Sequence, residues 1–458
     1  MPNIKEVINE KEIYEILENT RNTSSNKILK ILNKALKKKG LTLEEVGYLL
    51  NTEDKTLIEK MFQTSGKIKK EIYGERLVFF APLYLSNFCI NDCKYCGFHK
   101  KNPAQRKKLT LDEVKEQVKI LENMGHKRLL LEFGEHPTEN PIEYVTDVIK
   151  TIYNTKSGKG EIRRVNVNIA ATSTKNYKKL KECGIGTYQL FQETYHKKTY
   201  KKLHNGPKAD YKRQLFAHDK AMKAGIDDVG LGVLYGLYDY KFDTLALVSH
   251  SQYLDKKYNV GPHTISIPRF QKAPTVDIDL PYKINESQLL KVISILRMAV
   301  PYTGMIITTR EKPEVRAKAF QIGISQTSAA SKTSPGGYGK KEDSPQFFLH
   351  DHRNVDEVLE SILKQELLPS FCTACYRSNR TGKAIMELIK SGKINDFCRP
   401  NAILTFKEYL EDYASNNVKN LGLKIINKYL KQIPDTNIQK ETEIRLEKIE
   451  KGERDLYF

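Results

Sequence analysis

Eight short apolar runs, with a stretch of helical periodicity in every gap between them, restrict the fold of this chain more than any other feature. The runs fall at 76–83, 127–132, 163–169, 187–192, 228–234, 264–270, 305–309 and 321–326. Helical spacing of apolar residues fills 111–124, 141–153, 174–183, 211–224, 244–258, 286–298 and 313–320. Regular strand–helix alternation of this length predicts an α/β fold with a complete (β/α)8 TIM-type barrel, here over residues 71–345. In such barrels the chemistry sits at the C-terminal ends of the strands.

Two extensions flank the barrel. Residues 1–70 predict an N-terminal helical extension, with apolar residues at helical spacing over 10–17 and 27–39, and Thr42 capping a further helix. From about Pro345 the alternation stops. The periodicity of 356–364, 382–389, 405–413, 419–431 and 442–450 predicts a C-terminal helical domain over 346–458.

Cysteines supply the chemistry. Six of the seven fall into two triplets. Clustered cysteines in a chain that shows no secretory signal read as metal or redox sites rather than as disulfides. Residues 1–22 are mixed-charge, without an apolar signal core, and no stretch of about 18 apolar residues occurs, so a cytoplasmic location and no membrane are expected. The lone Cys183 reads as a small buried hydrophobe at a helix end. The net charge of +20 fits either a nucleic-acid partner or a lysine-rich solvated surface. The lysines are scattered and the chain lacks tryptophan, which favours the surface and no nucleic acid. The same charge would steer anionic partners.

The first triplet, Cys89, Cys93 and Cys96, directly follows the first strand candidate. The spacing C-x3-C-x2-C offers three thiolates to a four-iron cube and leaves the fourth iron open. An open iron can chelate a small molecule, and S-adenosylmethionine is the one whose one-electron reduction yields a carbon radical. Tyr95, just before the last cysteine, offers an aromatic face for adenine. Gly134 and Glu135 lie in the run Phe133-Gly-Glu-His-Pro137, which resembles, with its first glycine replaced, the Gly-Gly-Glu motif of radical S-adenosylmethionine enzymes, whose backbone binds the methionine amine. Asn166, Asn168, Gln192 and Glu193, at strand positions, are candidates for ribose or carboxylate contacts. A zinc site completed by His99 is the alternative. The second triplet, Cys372, Cys375 and Cys398, again lacks an obvious fourth ligand. It reads as a second iron–sulfur cluster or as zinc completed by His350 or His352.

Longer segments carry a resemblance. They are Leu190-Phe-Gln-Glu-Thr-Tyr-His196, Gly261-Pro-His-Thr-Ile-Ser-Ile-Pro-Arg269, Thr308-Thr-Arg-Glu-Lys-Pro313, 328–338, 369–377 and 401–413, together with both triplets. The chain resembles the HydG family, tyrosine-lyase maturases of [FeFe]-hydrogenase within the radical S-adenosylmethionine superfamily, over nearly its whole length. The resemblance implies a [4Fe-4S] cluster with S-adenosylmethionine at Cys89, Cys93 and Cys96. It implies an auxiliary cluster in the C-terminal domain, a [4Fe-4S] unit plus an extra iron ([5Fe-5S] type) with bound L-cysteine, on Cys372, Cys375 and Cys398. His263 matches the family's ligand to the extra iron. The implied reaction breaks the Cα–Cβ bond of L-tyrosine to give p-cresol and dehydroglycine. The latter becomes CO and cyanide, collected as an Fe(CO)2(CN) cysteine unit. Implied partners are Fe(II), a ferredoxin or flavodoxin electron donor, and the HydE and HydF maturases with the [FeFe]-hydrogenase they serve. Arg310, Ser328 and Ser331, with Thr264 and Ser266, are candidate substrate contacts, Arg310 as a carboxylate clamp unless it pairs with Glu311. The alternative is a ThiH-type 2-iminoacetate synthase, which shares the barrel motifs but not the second triplet. Two departures stand out: Phe133 replaces the first glycine of Gly-Gly-Glu, and Ala330 sits where Ala-Gly-Ser is the pattern.

Overall fold

The computed structural model describes residues 3–340 and 342–458. Residues 1, 2 and 341, which the expected divisions include, lie outside the described residues. Eight parallel strands close on themselves: β1 (Arg76–Ser86), β2 (Arg128–Phe133), β3 (Arg164–Asn168), β4 (Tyr188–Gln189), β5 (Val229–Gly232), β6 (Thr264–Ser266), β7 (Gly304–Ile307) and β8 (Gln326–Ser328). Closure is made by β8 on β1, with Val78 opposite Gln326 and Phe80 opposite Ser328. Side-chain alternation divides each strand between two environments. Leu129, Leu131, Val165, Val167, Ile265 and Met305 join the main core under the surrounding helices. Phe80, Leu130 and Ile306 form a separate apolar cluster, which the alternation places inside the barrel.

The helices start where their sequences say they should. Thr42 accepts from the Glu45 N–H while the Glu45 carboxylate accepts from the Thr42 N–H, a complete capping box. Thr110 and Glu113 repeat it ahead of the helix Leu111–Asn123. The N-terminal helices Glu10–Asn19, Leu43–Asn51 and Lys55–Tyr73 pack on the barrel helices Tyr240–Tyr258 and Glu286–Ala299.

Two expectations are corrected. The last barrel strand is not 321–326: the helix Pro313–Ile322 runs through that start and ends at Gly323, so pairing begins only at Gln326. The stretch after 345 is not wholly helical either. Leu368–Ser370 forms β9, a ninth strand parallel to the start of β1, with Arg76 opposite Leu368. A three-residue strand has too little periodicity to be seen in sequence. It seats the helix Ile394–Asp412 against the barrel wall, with Phe371 stacked between Phe79 and Tyr409. Cys183 is half-buried at its helix end rather than fully enclosed.

Buried histidines give the fold an acid limit. Burial lowers the pKa of His126 to about 4 and that of His218 to about 4. The folded chain keeps these rings neutral, while the unfolded chain protonates them below about 6.5. Stability therefore falls as pH drops from about 6.5 towards 4, by up to roughly 3 kcal/mol per ring. Thermal melting at pH 7 and pH 5 measures this, and a His126→Gln variant should show the smaller drop.

Candidate functional site

The chain builds two cavities at opposite ends of the same barrel. The first opens at the C-terminal strand ends. It is lined by Cys89, Cys93, Cys96 and Tyr95 from the loop after β1, and by Glu132, Gly134 and Glu135 from the end of β2. Asn168, Glu193, Ser266, Arg310, Ser328 and Ser331 line it from the later strands. The second lies at the N-terminal strand ends, among Arg76, Arg128, Asp228, His263, Cys372, Cys375, Tyr376, Arg380 and Cys398.

Local contacts explain the shape of the first loop. The Ile90 N–H donates to the Glu135 carbonyl at 2.8 Å, and the Gly134 N–H to the Ser86 carbonyl at 2.8 Å. A Cβ on Gly134 would lie 2.3 Å from the Phe88 carbonyl oxygen and 3.1 Å from the Cys89 Cβ, so only glycine lets the two turns touch. The preceding position is under no such pressure: the Phe133 ring meets the Tyr144 ring edge-on. The glycine that matters has been kept and the other replaced. The second departure is different in kind. Ala330 holds a left-handed φ of 51°, a conformation in which glycine is unstrained and alanine is not.

Glu135 is committed to the scaffold, because its carboxylate accepts from Asn91 Nδ2 at 2.6 Å and from Arg213 Nη2 at 2.5 Å. Glu193, at a left-handed φ of 68°, pairs with Lys208 Nζ at 2.7 Å. Arg213 and Lys208 escape sequence reading, since neither lies in a motif and each meets its carboxylate only through folding. The Tyr95 hydroxyl is hydrogen-bonded to His204 Nε2 at 2.8 Å. Arg310 does not pair with Glu311, which is taken by Arg269 at 3.0 and 3.1 Å. The Arg310 guanidinium instead stacks over Phe347 and makes one long contact, 3.4 Å, to the Arg269 carbonyl. Ser331 Oγ donates to Ser328 Oγ at 3.0 Å. Gln192 is buried without lining the cavity, and Asn166 accepts from the Thr187 N–H as a strand tie. Thr264 lies towards the barrel floor, 3.3 Å from Gln189 Nε2.

The donor set fits an iron–sulfur cluster at the first triplet. The Phe98 N–H reaches Cys96 Sγ at 3.4 Å, Gln346 Nε2 the same sulfur at 3.7 Å, and Asn91 Nδ2 reaches Cys89 Sγ at 3.8 Å. Such donors stabilise thiolate sulfur. Enclosure pushes the Cys96 thiol up to about 11 and that of Cys93 well above its ordinary value, so a positive centre is needed to hold them as thiolates. His99, the fourth ligand of the zinc alternative, is hydrogen-bonded through Nδ1 to Asp92 at 2.9 Å, which leaves its Nε2 open, so the choice of cluster over zinc rests on the thiolate spacing.

At the second triplet the Ala374 N–H points at Cys372 Sγ, 3.4 Å away. The Cys398 thiol hydrogen-bonds to Cys375 and, with Arg380 and Arg76, holds the Cys375 thiol below its ordinary value. Arg76, Arg128 and Arg380 line this cavity with Asp228 as the one carboxylate in its lining, which makes it a cavity for negative charge. His263 Nε2 is 3.4 Å from the Tyr376 hydroxyl and His263 Nδ1 is 3.6 Å from Asp228 Oδ1. The two histidines expected to complete zinc are elsewhere. The His350 N–H donates to Thr309 at the other end of the barrel, and His352 is exposed. Among the described residues no three His, Cys, Asp or Glu converge on a point that one ion could occupy.

Comparison with known proteins agrees with this arrangement. Residues 83–248 match the Radical SAM superfamily and residues 266–368 match the Biotin and Thiamin Synthesis associated domain. The 2-iminoacetate synthase of Escherichia coli (strain K12) is 30% identical over 341 residues, 74% of this chain and 89% of that protein. A crystal structure of HydG, described as a maturase of the [FeFe]-hydrogenase, superposes with a TM-score of 0.97 at 55% identity, covering 99% of this chain and 100% of that one. The chain belongs to the HydG family of the radical SAM superfamily. A second HydG structure, from Carboxydothermus hydrogenoformans, gives a TM-score of 0.86 at 37% identity over 97% of this chain and 100% of that one. In this chain the barrel carries additions at both ends, and the C-terminal one encloses the second cavity together with barrel residues such as Arg76, Arg128, Asp228 and His263. No helix among the described residues is long and apolar enough to cross a membrane.

Proposed function

We propose that the chain is a radical SAM tyrosine lyase that supplies CO and cyanide for [FeFe]-hydrogenase maturation. The observation that carries this reading is the pair of cysteine triplets facing separate cavities at the two ends of one barrel. The cluster at Cys89, Cys93 and Cys96, with S-adenosylmethionine, supplies a carbon radical when bound. The chain's own residues do the rest. Arg310, without a carboxylate partner among the described residues, holds the substrate carboxylate in a bidentate clamp. Phe80, Leu130 and Ile306 wall the chamber with apolar surface, and the segment carrying Gln346 and Phe347 closes over the cysteine loop, where the Gly97 N–H donates to the Gln346 carbonyl at 3.0 Å. Cleavage of Cα–Cβ in L-tyrosine leaves p-cresol and dehydroglycine. Dehydroglycine, taken as its neutral acid, balances to CO, hydrogen cyanide and water. At the second cavity Cys372, Cys375 and Cys398 would hold the auxiliary cluster and His263 its extra iron, which would supply open coordination sites for L-cysteine and the diatomics. Arg76, Arg128 and Arg380 neutralise the negative charge gathered there. HydE and HydF are the expected partners downstream, and an acidic ferredoxin or flavodoxin the electron source.

Anaerobically reconstituted protein given dithionite, S-adenosylmethionine and tyrosine should release p-cresol, CO and cyanide. Release of p-cresol without CO at any iron loading would favour the 2-iminoacetate synthase reading, which the E. coli relative supports.

A further inference from the structure

The first cavity holds a carboxyl group that no motif reading singled out. Glu132 stands at the end of β2, opposite Tyr84 on β1 and Asn168 on β3. One of its oxygens, Oε2, accepts from Asn168 Nδ2 at 2.8 Å. No cation pairs with it among the described residues, and none of the carboxylates there pairs with Arg310, which lines the same cavity. The chamber thus presents one uncommitted acid and one uncommitted guanidinium. A ligand that satisfies both carries an anion and a cation on one small frame, as an α-amino acid zwitterion does.

Resting on the tyrosine-lyase reading, we propose that Glu132 is a catalytic residue that binds the substrate α-ammonium group and takes a proton from it. The step balances as R–NH3+ plus carboxylate giving R–NH2 plus carboxylic acid. Its purpose is chemical. The family resemblance implies that the radical takes its hydrogen from the substrate amino group, and a hydrogen atom leaves nitrogen more readily when a lone pair can stabilise the radical left behind, which an ammonium lacks. Glu132 is suited to the role. Enclosure, opposed by the Asn168 hydrogen bond and by Arg310, raises its pKa to about 8, within the range useful for proton exchange near neutrality. The charged and titratable groups that act on it are Arg310, Glu193, Lys208 and Tyr84. Of these, Glu193 and Lys208 are already paired with each other. Asn168, expected from sequence to touch the cofactor, is here the residue that positions Glu132.

The test compares binding of L-tyrosine and of 3-(4-hydroxyphenyl)propanoate, which lacks only the amino group, to the full reconstituted chain with S-adenosylmethionine present. Wild-type protein should prefer tyrosine by roughly 10- to 100-fold, the worth of a charge-assisted hydrogen bond. Glu132→Gln should lose most of that preference while keeping its affinity for the desamino acid and for S-adenosylmethionine. A preference retained in the variant overturns the proposal. So does equal weakening of both acids, or a loss confined to S-adenosylmethionine. A second measurement needs no variant. At pH 7 the unliganded Glu132 carboxyl, raised to about 8, carries a proton that it must shed to meet the ammonium, so calorimetry in buffers of different ionisation heat should show tyrosine releasing a proton on binding where the desamino acid does not. Equal proton counts would refute the role of Glu132. Failure of the underlying lyase reading looks different, since wild-type protein would then neither bind tyrosine nor form p-cresol.

Discussion

Cys372→Ala combined with Cys375→Ala should leave p-cresol formation standing and abolish CO and cyanide. The two triplets face cavities at opposite ends of the barrel and share no lining residue. Removing two thiols from the second leaves the cysteine loop, Arg310 and Glu132 untouched. At the second site the loss is severe. One remaining thiol, Cys398, cannot anchor a cluster, and His263 and the three arginines would face a cavity without its negative occupant. The stability cost should stay small beside the chemical effect, because both positions are only half-buried and small. Headspace CO, cyanide and p-cresol measured on one reaction mixture decide the matter, with iron content as the control. Loss of p-cresol in the same proportion as CO would mean that the second triplet only supports the fold.

The largest effect on stability is expected at Arg316. Its side chain and that of Asp351 are both fully enclosed and joined as an ion pair. Arg316 Nη2 also donates to Thr327 Oγ1 at 2.8 Å and to the Ser328 carbonyl at 2.5 Å, so one guanidinium ties the end of β8 to the segment that follows the barrel. Arg316→Met removes the partner of a buried carboxylate and leaves Asp351 with Arg353 alone, at 2.7 and 2.9 Å. Breaking a buried pair in this way costs about 3–5 kcal/mol, a large share of the roughly 5–15 kcal/mol that holds a domain together. The loss should reach the first cavity too, because the His350 and Asp351 N–H groups both donate to the Thr309 carbonyl at 3.0 Å, beside Arg310. Denaturant midpoints measure the effect. Arg316→Met combined with Asp351→Leu should recover most of it, since no charge is then left buried. A single variant within about 1 kcal/mol of wild type would refute the argument.

How much of this was legible in the chain follows from the range of each interaction. Strand and helix periodicity, capping boxes and the C-x3-C-x2-C spacing are written in residues a few positions apart, and apart from the last barrel strand and the short β9 they survive in the structure. The order of the strands followed from alternation alone, because a parallel strand needs a helix to return. Where β8 begins was not legible. Ile322 and Ile324 are apolar in either reading, and only the pairing with β1 selects Gln326. The three-residue β9 has the same problem in a shorter form.

The sequence by itself determined the barrel, both cysteine triplets and Gly134, since each rests on local spacing or on a residue type for which no other substitutes. Tertiary structure alone decided that the triplets face opposite ends of the barrel. It alone paired Glu135 with Arg213 and Glu193 with Lys208, and left Arg310 and Glu132 uncommitted in one chamber. The reason is that electrostatics and burial act between side chains brought together across tens to hundreds of residues, and no local period encodes which charges will meet and which will stay free for a substrate.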